Sequence, residues 1–251
     1  MLLRHEDIDF SRVRETYYAG IEEDLRWLGL RWPEPTWRQS LRGSAYAAAL
    51  ATLQQSGLVY PCFCTRREIA VEWERMGQAP QMGDGLESFR YPGTCRDLSA
   101  DERRKRMEHG DAHAWRLDMG KSMDFCGELA FFDRRFGKVL VSREAVGDEV
   151  IARKDIGAAY HLAVVVDDAA QGVTLVTRGE DLLAATHVHR ILQAILHFPQ
   201  PEYLHHPLVL DHEGKRLAKR NDVLALRTLR ERGTSVDELV ASAEHWLRDF
   251  F

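Results

Sequence analysis

The stretch that most restricts the fold is residues 160–190, YHLAVVVDDAAQGVTLVTRGEDLLAATHVHR. Leu162 to Val166 are apolar without interruption, too few to span a membrane and too uniform for a solvated face, so the run must be buried. Periodicity leaves strand and helix equally open for it. A turn at Gln171-Gly172 precedes Val173 to Thr177, whose β-branched residues predict a strand ending at Arg178-Gly179. Asp181 is the expected N-cap of the next helix. In an open α/β sheet, a strand end that feeds a helix N-terminus is where small polar or anionic ligands are held, and Arg178 sits at that edge.

The rest of the chain supplies layers for such a sheet. Leu2 and Leu3 run directly into Arg4 to Asp9, as if the chain begins inside a strand. Val13, Tyr17, Ile21, Leu25 and Leu28 recur at helical spacing up to Gly29, predicting a helix over residues 11–28 with those side chains inward. A second helix is expected over residues 40–55, with Tyr46, Leu50 and Leu53 inward and Gly57 at its end. Thr65 to Glu68 and Ser99 to Glu102 have the form of capping boxes, and residues 113–119 alternate like a half-buried strand. Residues 123–153 read as further short strands, and residues 77–93 as a Gly, Pro and Gln-rich loop. Leu182 to Leu196 form one apolar-faced helix before Pro199, and Leu208 to Leu210 a buried strand. Ser235 to Glu238 caps a last helix with Leu239, Val240, Ala243, Trp246, Leu247 and Phe250 on its inner side. These elements divide the chain into residues 1–61 (first part of an α/β core), 62–153 (an inserted α+β subdomain), 154–232 (second part of the core) and 233–251 (a terminal helix).

The chain of 251 residues is long enough for one large domain or two small ones. A net charge of −5 confers no general basic character, so any nucleic-acid contact must come from local cations. Arg103 to Arg106, Arg153 and Lys154 are such cations, and ordinary solvated surface is the stronger reading for them. With no leader-like segment and no long apolar run, cytoplasm is the expected compartment.

Three groups of residues have the composition for chemistry. Cys62-x-Cys64 with Tyr91-x-x-x-Cys95 offers three thiolates and a phenol for a tetrahedral zinc, with Cys126 a rival fourth ligand. His187-x-His189 and His205-His206 have no carboxylate or cysteine near them in sequence and read as surface or core histidines. Lys215 to Arg220 crowds four cations into six residues after a Gly turn, a placement suited to neutralising a polyphosphate. Neither a phosphate-binding G-x-x-x-x-G-K loop nor a G-x-G-x-x-G fingerprint occurs. Glu6, Asp7 and Asp9 lie near the first strand end, where helix capping by Asp9 or Ser11 is the plain reading. A carboxylate from that cluster together with Arg178 is also what a free amino acid needs, one anion for its ammonium and one cation for a carboxylate.

In order along the chain, LRHEDID, WLGLRWPEPTWRQSLR, YPCFCTRREI, YPGTC, YHLAVVVDDAAQGVTLVTRGEDLL and KRLAKRND resemble the glutamyl-tRNA synthetase group of class I synthetases over almost the whole sequence. Within it the resemblance is to the short glutamyl-Q paralogues, which lack an anticodon-binding domain and attach glutamate to the queuosine base of tRNA(Asp). The resemblance implies a Rossmann-like class I catalytic core with an inserted zinc-containing subdomain. It implies ATP with Mg2+, glutamate and queuosine-bearing tRNA(Asp) as substrates, Zn2+ as the bound metal, and a monomer. Glu6 would hold the glutamate ammonium, with Tyr160 and Arg178 as further glutamate contacts. Cys62, Cys64, Tyr91 and Cys95 would be the zinc ligands, although the Cys64 to Tyr91 span is longer than usual. Arg216, Leu217, Ala218, Lys219 and Arg220 would match the KMSKS-type ATP loop, with Lys219 as the catalytic lysine and Ala218 in place of serine. The group's first strand and helix, with an A-P-S-P-x-G turn and an H-x-G-H-like segment, are not among these residues. The expectation is a start assigned too late, with a non-catalytic zinc-containing binding module and a trimmed tRNA(Glu)-charging core as the alternatives.

Overall fold

The computed structural model describes residues 1–9, 14–75, 91–155, 157–209 and 225–248. Its elements run β1 (Arg4–His5), α1 (Glu15–Trp27), β2 (Trp37–Arg38), α2 (Gly43–Gln55), β3 (Val59–Cys62), α3 (Arg66–Arg75), α4 (Ala100–His109) and β4 (Ala114–Leu117). Then follow α5 (Met119–Cys126), β5 (Ala130–Asp133), β6 (Gly137–Leu140), β7 (Val150–Arg153), β8 (Gly157–Ala158), α6 (Tyr160–Ala170) and β9 (Leu175–Gly179). The last are α7 (Leu183–Ile195), β10 (Glu202–His206), α8 (Leu226–Glu231) and α9 (Val236–Arg248). Two compact units divide them, Met1–Leu41 with His206–Phe251, and Arg42–His205. No described helix is long and apolar enough to cross a membrane.

In the first unit β1 pairs parallel with β2. The face expected of α1 is corrected: Tyr17 and Ile21 are exposed, while Tyr18 and Gly20 are buried. A polar contact draws Tyr18 in, since its hydroxyl donates to Asp7 at 2.6 Å. Asp7 also accepts from the amide and hydroxyl of Ser40, at 2.8 and 2.6 Å. Ser40 is thereby held outside α2, which starts at Gly43. The apolar side expected of α9 is not buried: Val240, Ala243 and Leu247 are exposed, and Trp246 meets the His206 ring at 6.2 Å. The strand expected at Leu208 is replaced by β10, because Pro207, lacking an N–H, cannot continue the ladder beyond His206.

The second unit carries two four-stranded sheets, in the orders β3-β4-β7-β8 and β6-β5-β10-β9. The first is antiparallel throughout. In the second, β10 lies parallel to β5 with Tyr203 opposite Asp133. The apolar run proves helical. In α6, Leu162 to Asp167 are all buried, because the helix packs between α2 and α7 and needs apolar residues all round. Burial overrides the poor helix propensity of three consecutive valines. Asp167, fully buried, accepts from Arg42 Nε at 2.5 Å and from the Tyr46 hydroxyl at 2.7 Å.

Three further boundaries differ from expectation. Asp118 caps α5, accepting from the Lys121 amide at 3.0 Å, so residue 119 and residues 123–126, expected as strand, are helix. β9 begins at Leu175 instead of Val173, whose amide still donates to the Asp168 carbonyl closing α6. Asp181 is not an N-cap: it lies within a 3-10 turn, Glu180–Leu182, that starts from the extended Gly179. Both expected capping boxes at Thr65 and Ser99 are formed, as is that at Ser235.

Candidate functional site

β9 ends by delivering Arg178 into a group of neutral acceptors. Its Nε donates to His205 Nε2 at 3.1 Å, and its Nη1 to the Tyr160 hydroxyl at 3.3 Å and to His189 Nδ1 at 3.2 Å. Its Nη2 donates to the Thr186 hydroxyl, and the guanidinium lies 5.5 Å from the Tyr203 ring centre. The elements explain the convergence: Tyr160 opens α6, Thr186 and His189 share one face of α7, and His205 sits on β10 beside β9. Among the described residues no ion pair involves Arg178. The neighbouring carboxylates are engaged elsewhere, Asp133 with His205 Nδ1 and Glu180 with Arg135, both at 2.6 Å.

Two of the histidines around this cation, His161 and His189, are held neutral. Burial, then the charge of Arg178, pushes His161 down to about 4 and His189 well below its usual value. Burial pushes Asp133 up, but hydrogen bonds from His205 and from the Arg135 and Phe136 amides outweigh it and leave its carboxyl below the usual range. An arginine surrounded by neutral groups keeps its full charge for a ligand, and its fork matches a carboxylate or phosphate.

Cys62, at the end of β3, and Cys64 meet Cys95 with their sulfurs all within 4.8 Å of one another. Cys64 Sγ is 3.4 Å from both Cys95 Sγ and the Tyr91 hydroxyl. Gly93, at φ 93°, makes the turn that brings the Cys95 amide back to the Tyr91 hydroxyl at 2.7 Å. A Cβ there would stand 2.6 Å from the Arg96 guanidinium. The hydrogen bond between Cys62 and Cys95 divides the pair: it raises Cys62, with burial, to about 12 and lowers Cys95 to about 6. Arginines stack on the aromatic residues around the thiols, Arg116 at 4.0 Å from the Tyr91 ring centre and Arg106 at 4.2 Å from that of Phe63. Sulfur donors of a tetrahedral zinc stand about 3.8 Å apart, so the three thiols and the phenol fit such an ion with little movement. Cys126 lies outside this cluster.

Glu6 belongs to the first unit, where its half-exposed side chain is 3.6 Å from Arg4. Asp7 is a buried structural acceptor, as described above. The cation run from Lys215 to Arg220, with Arg216, Leu217, Ala218 and Lys219, lies outside the described residues. His161, Thr186 and Asp133 were not singled out from sequence, and His189 and His205, read there only as surface or core histidines, are buried. The signal available was the His187-x-His189 pair on an apolar helix, where a buried imidazole requires a partner.

A family model described as the catalytic domain of class I tRNA synthetases (E and Q) matches residues 1–241. A glutamyl-Q tRNA(Asp) synthetase of Rhodobacter capsulatus is 44% identical over 238 residues, covering 93% of this chain and 84% of that protein. Its counterpart in Nitratidesulfovibrio vulgaris is 43% identical over 242 residues, with 93% and 71% covered. A crystal structure of a glutamate tRNA ligase from Elizabethkingia meningosepticum in complex with its amino acid superposes with a TM-score of 0.69 at 26% identity. It covers 88% of this chain, which spans 45% of that one.

Proposed function

The chain belongs to the class I tRNA synthetases of the E and Q group through their Rossmann-like α/β catalytic domain, and is a ligase of that class. We propose that it activates glutamate with ATP and transfers it to the queuosine base of tRNA(Asp), a reading supported by its similarity to proteins named glutamyl-Q tRNA(Asp) synthetase. The observation that carries the reading is Arg178, a cation held by neutral acceptors with Tyr160 beside it. One carboxylate of glutamate must stay free to attack phosphorus, so Arg178 takes the other, that of the side chain. The resemblance to the family gives Glu6 the role of holding the ammonium.

Chemistry then proceeds in two steps. An α-carboxylate oxygen attacks the α-phosphate of ATP and the bond to pyrophosphate breaks, with Lys219 countering the charge that moves onto the leaving group; Mg2+ bound with the nucleotide would supply further positive charge there. A hydroxyl of the queuosine ring next attacks the acyl carbon, AMP departs, and the hydroxyl proton leaves to solvent. Arg178 and Tyr160 orient glutamate throughout and hold the negative charge of its side chain away from the phosphates. Cys62, Cys64, Cys95 and Tyr91 would hold zinc, which supplies a clamp for residues 62–153 as an inserted subdomain of the core.

Labelled glutamate and ATP given to the full gene product should label tRNA(Asp) that carries queuosine and leave the same tRNA without queuosine unlabelled. Charging of tRNA(Glu) instead would identify a glutamate ligase of the ordinary kind. Glutamate binding without pyrophosphate exchange or transfer would identify a non-catalytic binding module.

A further inference from the structure

Arg178 is oriented from behind by two imidazoles, and each must present a bare nitrogen. His205 Nδ1 lies 2.6 Å from Asp133 Oδ2, and a carboxylate only accepts, so the ring proton is on Nδ1. Nε2 faces Arg178 Nε, which only donates, at 3.1 Å, so it is bare and accepts there, with the Thr186 hydroxyl 2.9 Å away. His189 uses the opposite tautomer. Its Nδ1 faces Arg178 at 3.2 Å, and its Nε2 faces His161 Nδ1 at 3.1 Å. The second nitrogen of His161 points to Glu149 Oε2 at 4.0 Å. Each ring thus stands between the guanidinium and a carboxylate, Asp133 on one side and, through His161, Glu149 on the other.

We propose that His189 and His205 are positioning residues, each fixed in the tautomer that turns a bare nitrogen toward Arg178, so that the guanidinium presents one orientation to a carboxylate ligand. Among the described residues one N–H of Nη2 is left without a partner, which gives the ligand its direct contact. The arrangement leaves Arg178 uncompensated because both carboxylates act through neutral rings. A carboxylate placed directly against Arg178 would have occupied the fork that the ligand needs. This inference rests on the reading of Arg178 as the glutamate-binding cation.

The test uses the full chain with His189→Leu, which removes the acceptor, and His189→Gln, whose amide oxygen can replace it. In glutamate-dependent ATP–pyrophosphate exchange, H189L should raise the KM for glutamate about 10- to 100-fold while leaving that for ATP within about twofold, and H189Q should recover to within about threefold. A purely structural role would move both KM values together with the melting temperature and would overturn the proposal. Arginine side-chain 1H–15N spectra, with the Arg178 signals assigned by their loss in R178K, give a second readout that needs no substrate. Resolved Nη signals in the wild type that average in H189L support the proposal, and Nη signals that stay resolved in H189L overturn it. Absence of glutamate-dependent exchange in the wild type would instead count against the functional reading, and the spectra would then decide the positioning role alone.

Discussion

Arg178 and the cysteines at positions 62, 64 and 95 lie in one unit, and they solve opposite electrostatic problems. Around Arg178 a cation is surrounded by rings and hydroxyls kept neutral, with its nearest carboxylates diverted onto His205 and Arg135. Around the thiols, groups that become anions are surrounded by arginines stacked on aromatic faces. Among the described residues Arg178 has no ion pair, whereas the thiols have cations close by and offer sulfur donors. The first is complementary to a small carboxylate and the second to a metal cation, and neither is a plain consequence of packing. Buried charge is costly unless paired. The fold tolerates the first through the neutral acceptors around Arg178, and the second through hydrogen bonds among the thiols and Tyr91 with arginines nearby.

The comparison can be broken most forcefully on the thiol side. Cys95→Ser should abolish stoichiometric zinc and leave the segments that carry Cys62 and Cys64 sensitive to protease, since structural zinc contributes on the order of 10 kcal/mol of binding free energy to such sites. Full zinc content in the variant, measured by atomic emission, would remove the thiols from the account. On the cation side the expected effect is smaller and depends on pH. The folded chain holds His161 at about 4, whereas the unfolded chain takes up the proton near 6.5. Stability is therefore complete above about pH 6.5 and falls as pH drops toward 4, by about 3 kcal/mol for this ring. His189, shifted in the same direction, steepens the fall. Urea midpoints at pH 7 and pH 5 should show about 2 kcal/mol of that loss in the wild type and a smaller one in His161→Gln. The smallest effect separates neighbour from ligand: Arg116→Met removes the cation over Tyr91 and should cost about 1 kcal/mol in urea unfolding while zinc is retained. Loss of zinc in that variant would make the stacked arginine part of the metal site.

The two regions also differed in how far they could be foreseen. The thiol group was legible because its parts are local, a C-x-C pair and a short turn through Gly93 that returns Cys95 to Tyr91. Arg178 was legible as a cation at a strand end, but its surroundings were not. His205 and Asp133 are 72 residues apart and meet only because β5 and β10 are parallel neighbours, a pairing no local pattern reports. The apolar run in α6 was rightly placed in the interior, and its helical state followed from being enclosed by α2 and α7 instead of from valine propensity. The face of α1 was misjudged because a hydrogen bond to Asp7, not hydrophobic spacing, decides that Tyr18 turns inward.

The central claim is that the charge of Arg178, which has no ion pair among the described residues, exists to hold the side-chain carboxylate of glutamate. Calorimetric titration of glutamate into the wild type and into Arg178→Lys tests it most directly, because lysine keeps the charge and loses the fork. The account expects glutamate to bind the wild type, with affinity lower in the variant by about 10- to 100-fold, and glutamine, which lacks that charge, to bind the wild type more weakly than glutamate. Equal glutamate affinity in the two proteins would contradict it.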